Sequence, residues 1–164
     1  MHAKPNLWAS LALKLHRLSL EVRGAEELPG DGRYLLVSNH RSLADAALTR
    51  RALKLPGLRY LRTEESVAAP EGPLGAYPEG RVNTAEELLP FSPAPFELAR
   101  REGLPIAIMS LRGSEGWKRW LKRPVRVKLK VLGVIPAEEY PELDAEGLAQ
   151  ISRERITYDL LREA

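Results

Sequence analysis

The sequence contains no cysteine and only three histidines, at positions 2, 16 and 40. The absence of cysteine excludes disulfides, thiol nucleophiles and Cys-based metal sites, and it leaves the redox compartment undecided. Three scattered histidines argue against a His-rich metal centre, so we expect no metal site.

Long apolar segments are also missing. No stretch approaches the roughly 20 apolar residues that a membrane-spanning helix needs. The N-terminal apolar run is interrupted by Lys14, His16 and Arg17, and no small-residue cleavage site follows it, so it does not fit a signal peptide. We expect a protein that remains on the cytoplasmic side of the cell membrane, without a transmembrane span.

Charge is unevenly distributed along a chain whose formal net charge is only +3. Residues 112–130 hold eight Arg or Lys against one Glu, and residues 131–164 hold eight acids against three Arg. The basic segment indicates an anionic partner, which could be a phosphate group, a membrane surface or nucleic acid.

Hydrophobic periodicity predicts one α/β domain with a mixed, mostly parallel sheet flanked by helices. The stretch from Thr63 to Gly75 has no clear period and is predicted to be a loop. We expect residues 19–164 to form the α/β domain, preceded by an amphipathic helix within residues 1–18. The predicted strands are 18–24, 34–38, 58–62, 104–109 and 125–131, and the predicted helices are 6–18, 46–55, 93–102 and 143–162.

Two segments carry tryptophan beside basic residues. In the first helix Trp8 lies next to a leucine stripe, which fits either an interfacial helix or, as leucine stripes more often do, a helix covering the sheet. The second segment, Trp117 to Arg123, interleaves two tryptophans with four basic residues. It suits a membrane interface, single-stranded nucleic acid, or a solvated basic turn. The residues predicted to contact a membrane surface are Trp8, Trp117, Trp120, Lys118 and Arg119.

The stretch Asn39-His40-Arg41-Ser42-Leu43-Ala44-Asp45 follows a predicted buried strand and opens a predicted helix. Open α/β sheets place reactive groups where such strands end. A histidine held by a carboxylate is a general base, so His40 and Asp45 are candidate catalytic residues. Ser42 and Asp45 also fit a capping box, in which Asp45 would only close the helix N-terminus.

A second unusual stretch is Gly75-Ala76-Tyr77-Pro78-Glu79-Gly80-Arg81. Pro78 excludes a regular central strand, and Gly80 permits a positive φ or the close approach of a ligand. Glu79 and Arg81 on such a turn could bind one polar ligand, with Arg81 contacting phosphate and Glu79 accepting from a hydroxyl. A surface turn with a solvated ion pair is the alternative.

Taken in order, the two stretches resemble the glycerolipid acyltransferase family, which contains 1-acylglycerol-3-phosphate acyltransferase. Its first motif, Asn-His-x-Ser-x-x-Asp, is matched by Asn39, His40, Ser42 and Asp45, and its third, Phe-Pro-Glu-Gly, appears as Tyr77-Pro78-Glu79-Gly80. The apolar strand at Leu104–Ile106 falls where the family has its fourth motif. Only 38 residues separate His40 from Glu79, fewer than is usual in the family.

The resemblance implies transfer of a fatty acyl group from acyl-CoA or acyl-carrier protein to a hydroxyl of a phosphorylated glycerolipid. It implies a peripheral enzyme of phospholipid biosynthesis that needs no cofactor and binds no nucleic acid. The alternative is a non-catalytic protein that binds lipid or a membrane surface on the same scaffold. The resemblance implies substrate-binding roles for Asn39, Ser42, Glu79, Gly80 and Arg81. Arg59 and Arg62 lie near the shortened region that corresponds to the family's second motif, but neither is part of a recognisable copy of it, and they are predicted to help bind the phosphate.

Overall fold

The computed structural model describes residues 18–61, 71–119 and 124–162, without the side chains of 117–119. The described strands form one six-stranded sheet in the order β1-β6-β5-β2-β4-β3. These strands are β1 (Leu18–Arg23), β2 (Leu35–Ser38), β3 (Arg59–Tyr60), β4 (Leu74–Ala76), β5 (Ile106–Arg112) and β6 (Val125–Ile135), and the helices are α1 (Asp45–Ala52), α2 (Ala94–Glu102) and α3 (Ala145–Arg162).

The sheet is mixed and mostly parallel. β2 pairs in parallel with both β4 and β5, β3 pairs in parallel with β4, and β1 pairs in parallel with β6. The junction of β5 and β6 is antiparallel. The predicted α/β class, with a mixed and mostly parallel sheet flanked by helices, is therefore confirmed.

Apolar side chains cover both faces of the sheet. Leu35 and Val37 of β2 point to the face that α2 and α3 cover, whereas Leu36 points to the face covered by α1. Successive side chains of a strand alternate between faces, so a strand with helices on both sides must be apolar throughout. This explains the uninterrupted apolar runs of β2 and β5.

In the first part of β6, buried apolar residues alternate with basic ones, as its sequence predicts. Val127 and Leu129 are buried, while Arg126 between Val125 and Val127 is exposed. The strand continues to Ile135, beyond the predicted end at residue 131, because it stays paired with β5 past an irregularity between Ile108 and Met109. One face of β6 thus supports the core and the other carries its basic residues.

The structure corrects one prediction about the loop at 63–75. Its last two residues, Leu74 and Gly75, form β4 together with Ala76, and this strand lies between β2 and β3. The predicted helix at 6–18 lies outside the described residues except for Leu18, which begins β1. Of the helices within the described ranges, none combines the length and apolar character that crossing a bilayer requires.

Candidate active site

The two unusual stretches meet because they follow neighbouring parallel strands. Val37 of β2 is in register with Ala76 of β4, and the two strands are parallel, so the segments that follow them leave the sheet at the same edge. The loop bearing His40 and the turn bearing Glu79 are then linked by a backbone hydrogen bond from Asn83 N to His40 O, 2.7 Å long. The carboxyl edge of the sheet therefore places the candidate catalytic residues together.

His40 and Asp45 form the predicted pair. His40 Nδ1 lies 2.9 Å from Asp45 Oδ2, and the Asp45 side chain is fully buried while that of His40 is 16% exposed. An ionised carboxylate only accepts hydrogen bonds, so Nδ1 carries the proton and Nε2 has its lone pair free. No described residue provides a further hydrogen bond to the imidazole. This geometry would suit a general base that acts through Nε2.

Asp45 also organises the turn that precedes α1. Its Oδ2 accepts hydrogen bonds from the backbone N–H groups of Arg41 at 2.6 Å and Ser42 at 2.9 Å. Its Oδ1 accepts from Ser42 Oγ at 3.0 Å, and Ser42 Oγ accepts in turn from Ala44 N at 3.1 Å. The helix-closing interpretation and the catalytic one are thus compatible, because a single carboxylate makes both sets of contacts.

Glu79 is a buried part of the same network. Its Oε1 accepts a 2.9 Å hydrogen bond from His40 N, and its Oε2 accepts from Asn83 Nδ2 at 2.7 Å and from Leu89 N at 3.0 Å. These bonds stabilise the carboxylate in a site that water scarcely reaches. Glu79 therefore ties the turn after β4 to the backbone of the candidate base.

Tyr77 is a site residue that the sequence did not identify as such. Its ring stacks on the imidazole of His40 with centroids 3.9 Å apart and planes 6° from parallel, and Tyr60 stacks on the other side of Tyr77 at 4.6 Å. Burial raises the pKa of Tyr77 well above its usual range, so its phenol stays protonated and does not act as a base. An aromatic residue at the first place of the third motif was the available signal.

Asn39 anchors the loop to the centre of the sheet. Its Oδ1 accepts from Leu111 N at 2.8 Å and its Nδ2 donates to Leu111 O at 2.9 Å, so the fully buried amide pairs with the backbone N–H and C=O of one residue of β5. Ser42 is likewise buried and bonded to Asp45. Both side chains meet their partners within the protein, and their predicted contacts with substrate stay predictions.

The other predicted binding residues lie at the rim or outside the described part. Gly80 has φ +72°, which confirms the positive φ that glycine permits, and its N–H donates to Tyr77 O at 2.9 Å. Arg81 next to it is exposed, as is Arg59 on β3. Of the predicted site residues, six have side chains that the structure does not describe: Arg62, Trp8, Trp117, Trp120, Lys118 and Arg119.

The six-stranded mixed sheet, with His40 after β2 and Glu79 after β4, has the same fold as a solved acyltransferase. The chain is similar in structure to the 1-acyl-sn-glycerophosphate (LPA) acyltransferase PlsC from Thermotoga maritima, with a TM-score of 0.69 and 19% sequence identity over 88% of this chain and 72% of that chain. No protein-family model matches the chain. At this identity the similarity establishes the fold, and function must be argued from the site.

Proposed function

We propose that this protein is an acyltransferase. It moves a fatty acyl group from an acyl thioester, acyl-CoA or acyl-carrier protein, to a hydroxyl of a glycerophosphate or lysophospholipid such as 1-acylglycerol-3-phosphate, in phospholipid biosynthesis. The observation that carries the proposal is the 2.9 Å contact between His40 Nδ1 and the buried Asp45, which leaves Nε2 free at the carboxyl edge of the sheet. The fold shared with an acyltransferase supports it.

The reaction begins with proton transfer to His40. Nε2 takes the proton of the acceptor hydroxyl, and Asp45 stabilises the imidazolium that forms. The acceptor oxygen attacks the thioester carbonyl, an ester bond forms, and the carbon–sulfur bond breaks. The departing thiolate recovers the proton from Nε2, which regenerates the neutral base without an acyl-enzyme.

The oxygen that becomes negative during attack needs hydrogen-bond donors. The Gly80 N–H is already bonded to Tyr77 O and is not one of them. The next two backbone N–H groups, those of Arg81 and Val82, donate to no described residue and are the better candidates. The exposed Arg81, with Arg59 or Arg62, would contact the acceptor phosphate through its guanidinium fork.

A measurement of thiol release tests the proposal. Full-length protein is incubated with an acyl-CoA in the presence and absence of 1-acylglycerol-3-phosphate, and the free thiol and the diacyl product are both quantified. His40→Ala should lower turnover at least about 10²-fold, because general-base catalysis typically contributes 10²–10⁴-fold. His2→Ala is the matched control and should keep wild-type turnover.

Each contrary outcome has a distinct meaning. Full turnover in His40→Ala would disprove the proposed mechanism. Thiol release that ignores the acceptor would indicate a thioesterase, with water as the acceptor. Lipid binding without any turnover would establish the alternative, a non-catalytic lipid- or membrane-binding protein on the same scaffold.

Action at the cytoplasmic membrane surface, as a peripheral protein, is part of the proposal. The basic face of β6, with Arg126 exposed, supports it because cations attract anionic headgroups. Sedimentation with vesicles of anionic phospholipid, but not with vesicles of phosphatidylcholine alone, is the expected result. Replacing Trp117 and Trp120 together by Ala should weaken this binding if those rings lie at the interface.

A further inference from the structure

The candidate base is one of four side chains that form a continuous stack. The His40 imidazole lies on the Tyr77 ring, the Tyr77 ring lies on the Tyr60 ring, and the Arg50 guanidinium lies over the far face of this column, 5.6 Å from the Tyr60 centroid. The three rings are nearly parallel, with interplanar angles of 6° and 13°. One face of the imidazole is therefore covered by an aromatic surface.

The backbone around the stack is shaped to hold it. Gly75 of β4 lies under Tyr60, and a Cβ at Gly75 would be 2.6 Å from Tyr60 Cε1. Arg50 is fixed in turn, because its Nε donates a 2.7 Å hydrogen bond to Leu58 O. The missing side chain at Gly75 leaves room for the Tyr60 ring, the anchored guanidinium lies against it, and Tyr60 supports Tyr77.

Asp45 and Tyr77 restrain different motions of the imidazole. The hydrogen bond to Asp45 determines which nitrogen faces the carboxylate, but a single contact at Nδ1 still permits the ring to tilt about it. A nearly parallel ring at 3.9 Å opposes that tilt. We propose that Tyr77 is a positioning residue for His40, whose stacked ring, supported by Tyr60, keeps Nε2 aimed at the acceptor hydroxyl. This inference rests on the acyl transfer proposed above.

The ring of Tyr77, rather than its hydroxyl, carries this role. The hydroxyls of Thr49, Tyr60 and Tyr77 lie near one another, and these neighbours influence the pKa of Tyr60, although burial raises it most. None of the three hydroxyls nevertheless reaches full hydrogen-bond geometry with a described residue. A phenylalanine at position 77 would keep the stack and lose only a hydroxyl without a firm partner.

Three variants separate positioning from general stability. Tyr77→Leu removes the aromatic ring but keeps an apolar side chain, and it should lower kcat about 10- to 10²-fold, as small misplacements of catalytic groups do, with KM changed less than about threefold. Tyr77→Phe should stay within about threefold of wild type. Tyr140→Leu removes a ring buried in the cluster on the opposite face of the sheet, where its hydroxyl donates to Leu104 O, and it should leave kcat unchanged.

Nuclear magnetic resonance of the wild-type protein gives a second test that needs no activity. A ring stacked at this distance shields its neighbour, so the carbon-bound ring protons of His40 should resonate upfield of those of a free histidine. The upfield shift should persist in Tyr77→Phe and disappear in Tyr77→Leu.

Several results would overturn the inference. These are a kcat for Tyr77→Leu within twofold of wild type, an equal loss in Tyr77→Phe or in Tyr140→Leu, or the absence of the upfield shift in wild type. A wild-type protein without turnover that still shows the upfield shift would refute the acyl transfer and, with it, the catalytic purpose of the stack, while the stack itself stands.

Discussion

The backbone N–H of His40 donates to the Oε1 of Glu79 at 2.9 Å, across 39 positions of sequence. This contact makes the acid of the second stretch a structural partner of the base in the first. Since Glu79 Oε2 also accepts two hydrogen bonds, three of the roughly four acceptor sites of the carboxylate are occupied without a substrate. In this structure the Glu79 carboxylate therefore acts mainly by holding the His40 backbone in position.

Replacing Glu79 by Gln tests that role. The amide nitrogen of Gln would face donors where Oε2 now accepts from Asn83 and Leu89, so one or more buried donors would lose their partner. We expect the free energy of unfolding to fall by about 1.5–3 kcal/mol, the usual range for hydrogen bonds to a charged group. Chemical denaturation measures it, with Glu86→Gln, an exposed residue of the following loop, as the control.

The same variant separates positioning from acceptor binding. Unchanged stability together with a raised KM for the acceptor would contradict the structural role and favour the sequence prediction that Glu79 orients the acceptor. A loss of stability with a lowered kcat is the outcome that the hydrogen bond to His40 leads us to expect.

Asp45→Asn should damage both the base and its turn. One oxygen of Asp45 accepts from His40 Nδ1, Arg41 N and Ser42 N, and an amide can no longer match all these donors with two accepting oxygens. We expect turnover to fall about 10²-fold or more, as the loss of a general base does. Asp31→Asn, at an exposed turn, is the control, and a variant with wild-type kcat would argue against a catalytic pair.

The sequence predicted the parts of the fold that have strong patterns. β2 and β5 are apolar because both of their faces are buried, and β6 alternates because one of its faces is basic. β4 cannot be recognised in this way, because three residues, one of them glycine, show no period. Its pairing with β2 makes it a strand, and pairing between distant segments is not visible in local sequence.

Some contacts of the candidate site could be predicted from the sequence, and others could not. The contact of His40 with Asp45 spans five residues at a helix start, so spacing alone could predict it. The contacts of Glu79 and Tyr77 with His40 depend on the register between β2 and β4, which no local pattern encodes. Proximity of the two stretches followed from the fold, whereas the use of Glu79 as a backbone anchor did not.

A third buried carboxylate, Asp159 of α3, predicts that stability depends on pH in the acid range. Burial disfavours its ionised form, but hydrogen bonds from Lys130 at 2.5 Å and Ser110 at 2.6 Å, with the charges of Lys130 and Arg112, outweigh that effect and hold the pKa of Asp159 below its usual value. A carboxyl whose pKa is lower in the folded state stabilises the protein above its unfolded pKa, about 3.9 for Asp.

This stabilisation should disappear as the pH falls below about 4 and through the folded pKa of Asp159. Asp159→Asn should therefore lower the free energy of unfolding at pH 7, by about 1.5–3 kcal/mol for the lost charged hydrogen bonds. The difference from wild type should shrink in acid. Denaturation curves between pH 7 and pH 3 measure it, and a difference that is independent of pH would contradict this assignment.

Gly75→Ala tests whether the stack depends on the backbone of β4. A Cβ there would meet Tyr60 Cε1, Cδ1 and Cζ at 2.6–2.8 Å, closer than carbon atoms approach, so the Tyr60 ring must move. Because Tyr60 supports Tyr77 and Tyr77 lies on His40, the displacement should reach the base. We expect kcat to fall several-fold, together with a stability loss of about 1–3 kcal/mol from overpacking.

Gly30→Ala is the matched control, because a Cβ at Gly30 would meet no described atom within 4 Å and the φ of Gly30 is not positive. It should change neither kcat nor the free energy of unfolding. Steady-state kinetics measures kcat and chemical denaturation measures the free energy of unfolding for both variants. If Gly75→Ala lost stability but kept the wild-type kcat and the upfield His40 resonances, Tyr60 would be a packing residue alone, and the orientation of the imidazole would depend on Tyr77 and Asp45 without support from β3.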